Sequence, residues 1–189
     1  MPTPTFHRAG LPEANETRNW GGVRIPGGQA GGDRVVTQDY RIELARAAER
    51  NGYDSILSIT TNRNYDPWVA TSFLAAHTSK IKFIVALRPG FAAPTLVAQQ
   101  SATFQEMSND RLYLNIVTGS QEAELRSLGE TLDKDRRYAR TAEFFEVLKG
   151  CWAGAPFDYK GEFYDIEKGG LGAPAQQPFS TSKNSAVRA

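Results

Sequence analysis

The sequence predicts an α/β fold of repeated β–α units, and three observations carry that prediction. Short apolar runs occur at 55–59, 82–87 and 112–117, and their equivalent positions Ile56, Phe83 and Leu112 lie 27 and 29 residues apart, close to the roughly 30 residues of a βαβ unit. The second run, KFIVAL, is apolar after its lysine rather than alternating, as a strand covered on both faces would be. Between the runs stand polar loops followed by helical periodicity, which is how parallel strands must be joined.

Taken in order, residues 1–37 hold a Gly- and Pro-punctuated segment, NWGGVRIPGGQAGGDR, without a period of 2 or 3.6, and read as a long loop. Ile42, Ala45 and Ala48 then recur at helical spacing, and Asn51-Gly52 supplies a stop, so a first helix covers about 38–50. After the strand at 55–59 and the loop TTNRNYDP, Pro67 opens a second helix containing Trp68, Val69, Phe73 and Leu74. The strand at 82–87 leads through RPGFAAP to a helix over 95–109, with Val97, Phe104 and Met107 expected on its inner side. Following the strand at 112–117, a long helix is expected from about 135 to 152, with Tyr138, Thr141, Ala142, Phe145, Leu148 and Trp152 on one face. FDYKGEFYDIE alternates about Lys160-Gly161 as a hairpin does. The residues after 179 lose all period and form a divergent, unpacked tail.

Composition narrows the function classes. The chain has 189 residues, 40% of them apolar, and a formal net charge of +1, enough for one sizeable core and too balanced for a nucleic-acid-binding stripe. One cysteine, Cys151, excludes an internal disulfide framework, and two distant histidines without a cysteine partner make no zinc site. A reducing cytoplasm is the expected compartment. No apolar run is long enough to span a bilayer. The Gly-x-Gly-x-x-Gly fingerprint, the Walker loop, Gly-x-Ser-x-Gly and His-Glu-x-x-His are all missing from the sequence. His7 and His77 read as incidental, Cys151 as a packed thiol, and the basic run DKDRRYAR as a solvated helix start.

Parallel β–α repeats form either a doubly wound sheet or a closed barrel, and both place ligands beyond the C-terminal ends of the strands. Polar groups gather there in this chain: Thr60 to Asn64 after the first strand, Arg88-Pro89-Gly90 after the second, and Asn115, Thr118, Gly119 and Ser120 in the stretch RLYLNIVTGS. Tyr138 projects from the start of the long helix, where a phenol can reach an anionic ligand.

The stretches FIVALRPGFAAPTLVAQQSATFQEMSNDRLYLNIVTGSQEAE and LDKDRRYARTAEFFEVLKGCW, with QQPF further on, resemble the alkanesulfonate monooxygenase branch of the bacterial luciferase-like flavin-dependent monooxygenases. The resemblance runs from about residue 33 to 179, so that 38–179 forms a partial barrel. It implies a (β/α)8 TIM barrel represented by about four βα units, reduced FMN delivered by a separate flavin reductase, dioxygen as co-substrate, and an organosulfur small molecule as substrate. By the same resemblance Thr118 and its neighbour Asn115 border the isoalloxazine, Tyr138 approaches the FMN phosphate, and Thr61 to Asn64 border the flavin edge where oxygen reacts. Asn64, the candidate catalytic group, stands where the alkanesulfonate branch carries a cysteine.

A complete barrel of this type takes about 250 residues, and STSKNSAVRA stands where the family continues into a strand and a Gly-Gly-Ser-Ser loop. FHRAGLPEANE reads as an altered first strand. The expectation is therefore an incomplete barrel with impaired turnover, the alternative being a non-catalytic remnant that serves as a flavin-binding or self-association module. Neither nucleic acid nor membrane is an expected partner; a homo-oligomer is.

Overall fold

A computed structural model of the chain describes residues 37–62, 64–172 and 175. The expectations for the glycine-rich segment before Thr37, for the altered first strand and for the tail after 179 lie outside these residues. Packing divides the described residues into two compact units, 37–87 with 111–115 and 88–110 with 116–175, which are described in turn.

In the first unit, helix α1 (Gln38–Arg50) starts where the Thr37 hydroxyl accepts from the Tyr40 N–H at 3.1 Å, a side-chain cap for an otherwise unpaired donor. Strand β1 (Ser55–Ser58) pairs in parallel with β2 (Lys82–Leu87), with Ile56 opposite Phe83. Strand β3 (Leu112–Ile116) lies on the other side of β2, giving the order β1-β2-β3. The repeat spacing thus delivered adjacent strands in sequence order. Between β1 and β2 the chain forms helix α2 (Pro67–Ala75), with proline in its first turn and Asp66 as its cap. Ile56, Leu74, Ile81, Phe83, Val85 and Leu112 make the core of this unit.

Two charged side chains close the N-terminal end of this sheet. The Glu49 carboxylate, on the last turn of α1, accepts from the backbone N–H groups of Ser79, Lys80 and Ile81 at 3.0, 2.6 and 2.9 Å and from the Ser79 hydroxyl at 3.0 Å. Burial alone would raise its pKa, but these donors outweigh that and hold it at about 2. The buried Arg111 guanidinium donates to the carbonyls of Ala75 (2.8 Å) and Ile81 (3.3 Å) and to the Thr78 hydroxyl (2.9 Å), joining the end of α2 to the entry of β2.

The second unit is built on α3 (Pro94–Ser108) and α5 (Lys134–Trp152), which pack together. Trp152 Nε1 donates to Ser101 Oγ at 3.1 Å, and that fully buried hydroxyl donates to the Ala98 carbonyl at 2.9 Å. The expected hairpin is present as β4 (Phe157–Lys160) and β5 (Asp165–Gly169), antiparallel. It is tied to α5 by the Glu143 carboxylate, which accepts from the N–H groups of Glu162, Phe163 and Tyr164 at 2.8, 2.9 and 3.2 Å. Gly150 makes room for that docking: a Cβ there would sit 2.6 Å from the Phe157 ring.

Three details differ from the sequence expectations. A short helix, α4 (Glu122–Ser127), stands between the third strand and the long helix, where the sequence predicts none. Met107 is 83% exposed rather than inward, because the buried stripe of α3 runs through Val97, Ser101, Phe104 and Ser108, and Met107 lies roughly 80° round the helix from it. On α5 the buried residues are Arg137, Phe144, Val147, Leu148 and Cys151, so the inner face is turned by roughly a quarter of a revolution from the one expected, and Tyr138 points away from it.

Candidate functional site

Beyond the C-terminal end of β1 the chain runs through Thr60 and Thr61 into a turn in which the Asn64 N–H donates to the Thr61 carbonyl at 3.4 Å. The structure therefore brings Thr61 and Asn64 into one local loop. Asn64 Nδ2 is buried and has no hydrogen-bond partner. A buried amide left without a partner costs about 1–3 kcal/mol, so an acceptor brought to this nitrogen would recover that cost. Asn115 is half-buried near the end of β3 in the same unit.

Thr118 and Tyr138 belong to the second unit. Thr118 is half-buried and precedes Gly119, whose φ of +82° suits glycine and where a Cβ would meet Leu125 Cδ2 at 2.6 Å. Leu125 of α4 is itself 1% exposed, so the Thr-Gly turn is fitted closely onto a buried side chain. Tyr138 is 44% exposed, with Lys134 Nζ over its ring at 6.0 Å. A phenol beside an ammonium offers two donors to an anion.

What the sequence reading missed is the ionic framework that positions this part of the chain. The run DKDRRYAR is solvated only in part: Arg137 is 2% exposed and donates to Glu122 Oε1 at 2.8 Å and to the Leu132 carbonyl at 2.9 Å. Arg140 pairs with the buried Glu130 and donates to the Pro89 carbonyl at 2.8 Å. Burial opposes ionisation of Glu130, yet Arg140 and the Leu132 N–H bring its pKa below the usual carboxylate value. Arg88 closes the set, 3.1 Å from Glu124 with both side chains largely buried. A guanidinium fork suits such low-dielectric pairing better than a lysine. Together these pairs hold the segment 88–90 and the segment from α4 to Leu132 against α5. Tyr138 stands between Arg137 and Arg140 in sequence, on the helix that these pairs anchor. The available signal was the run of glutamates in SQEAELRSLGE facing the arginines of DRRYAR.

The other sequence candidates have plain structural roles. His77 Nδ1 lies 2.8 Å from the Phe73 carbonyl at the end of α2, and Cys151 is buried, its pKa raised by that burial, which suits packing rather than nucleophilic attack. Among the described residues no helix is long and apolar enough to cross a membrane.

An FMN cofactor would present acceptor atoms on its ring edge and a dianionic phosphate. The spare Asn64 amide suits the former, and the Tyr138 phenol with Lys134 suits the latter. In chemical type the residues fit the group.

Comparison with known proteins bears on the same question. The chain matches 23% of positions in EDTA monooxygenase (EmoA) from Chelativorans sp. BNC1 with a TM-score of 0.68, covering 82% of this chain and 44% of that one. Long-chain alkane monooxygenase (LadA) is 19% identical with a TM-score of 0.65, covering 72% of this chain and 42% of that one. The oxygenating constituent of 3,6-diketocamphane monooxygenase from Pseudomonas putida, solved in complex with FMN, is 21% identical with a TM-score of 0.61, covering 68% and 37%. The chain thus spans less than half the length of each of these structures, and at such identities the likeness establishes the fold: an α/β sheet with helices of the luciferase-like barrel kind. The family model for luciferase-like monooxygenases matches residues 21–181, which is most of the sequence, and the chain belongs to that family.

Proposed function

We propose that the chain takes part in the FMN-dependent monooxygenation of an organosulfonate, with reduced flavin supplied by a separate reductase and dioxygen as co-substrate. The observation that carries the flavin part is the buried, unpartnered Asn64 amide beyond the end of β1. The sulfonate part rests on the NIVTGS and LDKDRRYARTAEF stretches, which resemble the alkanesulfonate branch.

When bound, reduced FMN supplies the activation of dioxygen. This chain's residues bind and orient. Within the first unit, Asn64 Nδ2 would donate to a ring acceptor of the flavin, and Thr61 and Asn115 would add polar contacts. Within the second unit, Thr118 and the Tyr138 hydroxyl beside Lys134 would offer donors to a phosphate. Asn64 keeps a neutral donor where a cysteine would place a titratable thiol, so its hydrogen bond is independent of pH across the physiological range.

A reductase-coupled assay with hexanesulfonate tests this reading. The expected result is a small release of sulfite beside a larger release of hydrogen peroxide, as impaired turnover requires, and FMN binding that weakens about tenfold, or 1.4 kcal/mol, in Asn64→Ala. Flavin bound normally with hydrogen peroxide as the sole product would overturn the sulfonate assignment and favour a flavin-binding module. No flavin binding at all would overturn both.

A further inference from the structure

A second candidate site lies wholly within the first unit and uses none of the five residues assigned to flavin. A cavity of about 490 Å³ opens between α1 and α2 over β1, inside the size range of small-molecule pockets. Ile56, Val69, Phe73 and Leu74 supply apolar walls. Arg41 also lines it. This arginine is only 7% exposed, its guanidinium lies 4.1 Å from the centre of the Tyr65 ring, and its Nε is buried without a hydrogen-bond partner.

We propose that this cleft binds a small amphipathic anion, a carboxylate or sulfonate group carried on an apolar body. The acid and the threonine of the lining are already engaged. Asp66 is the acid, and its Oδ1 is engaged by the Val69 N–H at 2.9 Å as the cap of α2. The Thr71 hydroxyl donates to the Pro67 carbonyl at 2.5 Å. The unmet donor is therefore on Arg41, with Gln38 and Ser58 in the same lining able to add uncharged hydrogen bonds. An arginine buried against an aromatic face is weakly hydrated, so an anionic oxygen reaching Nε displaces little water. The apolar walls would cover the rest of such a ligand, and a cation would be repelled.

Calorimetric titration of the full chain without flavin, using octanesulfonate, octanoate and octanol, tests the proposal independently of the flavin reading. Both anions are expected to bind saturably at one site, and octanol about tenfold more weakly. Arg41→Met, which keeps the length of the stem, should reduce both anions to the level of octanol. Because Arg41 is buried, a second pair of variants is placed at Val69, which is 70% exposed on the cleft lining and so can be replaced without disturbing the core. Val69→Lys should tighten anion binding and Val69→Glu weaken it, each by about threefold at low salt, with unchanged melting temperature. Equal affinities across the Val69 pair, octanol binding as tightly as octanesulfonate, or no saturable binding of either anion would overturn the proposal.

Discussion

At the N-terminal end of the sheet in the first unit, the Glu49 carboxylate collects three backbone N–H groups and a hydroxyl, and the Arg111 guanidinium meets two carbonyls and a hydroxyl. At the C-terminal end of the same sheet, the Asn64 amide nitrogen is buried and bonded to nothing. The first arrangement removes cost wherever the backbone would otherwise be left unsatisfied. The second leaves a cost standing. In β–α repeat folds the N-terminal face of the strands serves stability and the C-terminal face carries chemistry, and the contrast here is the local form of that division, drawn in hydrogen bonds. A satisfied charge cannot do anything further for a ligand, whereas an unsatisfied donor can.

The largest break in this comparison should come from Arg111→Met, which strips the Ala75 and Ile81 carbonyls of a buried donor while keeping the apolar stem. A loss of about 3–4 kcal/mol in urea unfolding is expected, and a loss under 1 kcal/mol would show that water replaces the guanidinium there. Glu49→Gln comes next, at about 2 kcal/mol near neutral pH. Its pH dependence has a definite sign. The folded pKa of about 2 lies below the ordinary 4.5, so the stabilisation is complete above about pH 4.5 and disappears as pH falls toward 2. Wild type and Glu49→Gln should therefore converge in stability across that window, and parallel curves would remove Glu49 from its role.

At the other end the sign reverses. Asn64→Leu should raise the stability of the ligand-free chain by about 1 kcal/mol, since it removes an unmet buried donor, while weakening FMN binding. Destabilisation instead would make Asn64 a structural residue. The smallest effect is expected for Tyr138→Phe: the side chain is 44% exposed, so stability should change by less than about 0.5 kcal/mol, and flavin affinity is the quantity to measure. If melting temperature falls sharply in this variant, the phenol belongs to the fold rather than to the site.

Much of the architecture was legible because it is local. Helix α1 covers the residues that Ile42, Ala45 and Ala48 mark, β2 spans the expected 82–87, and the hairpin loop of residues 161–164 begins at the expected Lys160-Gly161. Helix faces were less legible. On α3 the buried stripe includes Ser101 and Ser108, and counting apolar residues drew Met107 inward in their place. A serine of small volume that bonds the preceding turn, as Ser101 does to Ala98, fills a buried position as well as an alanine would. On α5, Arg137 and Arg140 look like surface residues until Glu122 and Glu130 are brought beside them.

The sequence by itself determined where the elements other than α4 lie, that its parallel strands follow one another in order, and which polar residues stand at their C-terminal ends. Period, caps and proline act within a few residues, so the chain carries that information directly. Only the tertiary structure decided which charges are buried, which face of α5 turns inward, that Asn64 keeps an unpaired donor and that Arg41 faces a cleft. Those outcomes depend on partners 10 to 51 residues away, as Arg140 with Glu130 and Pro89 shows, and the energy of a polar group is set by what folding places next to it rather than by its own identity.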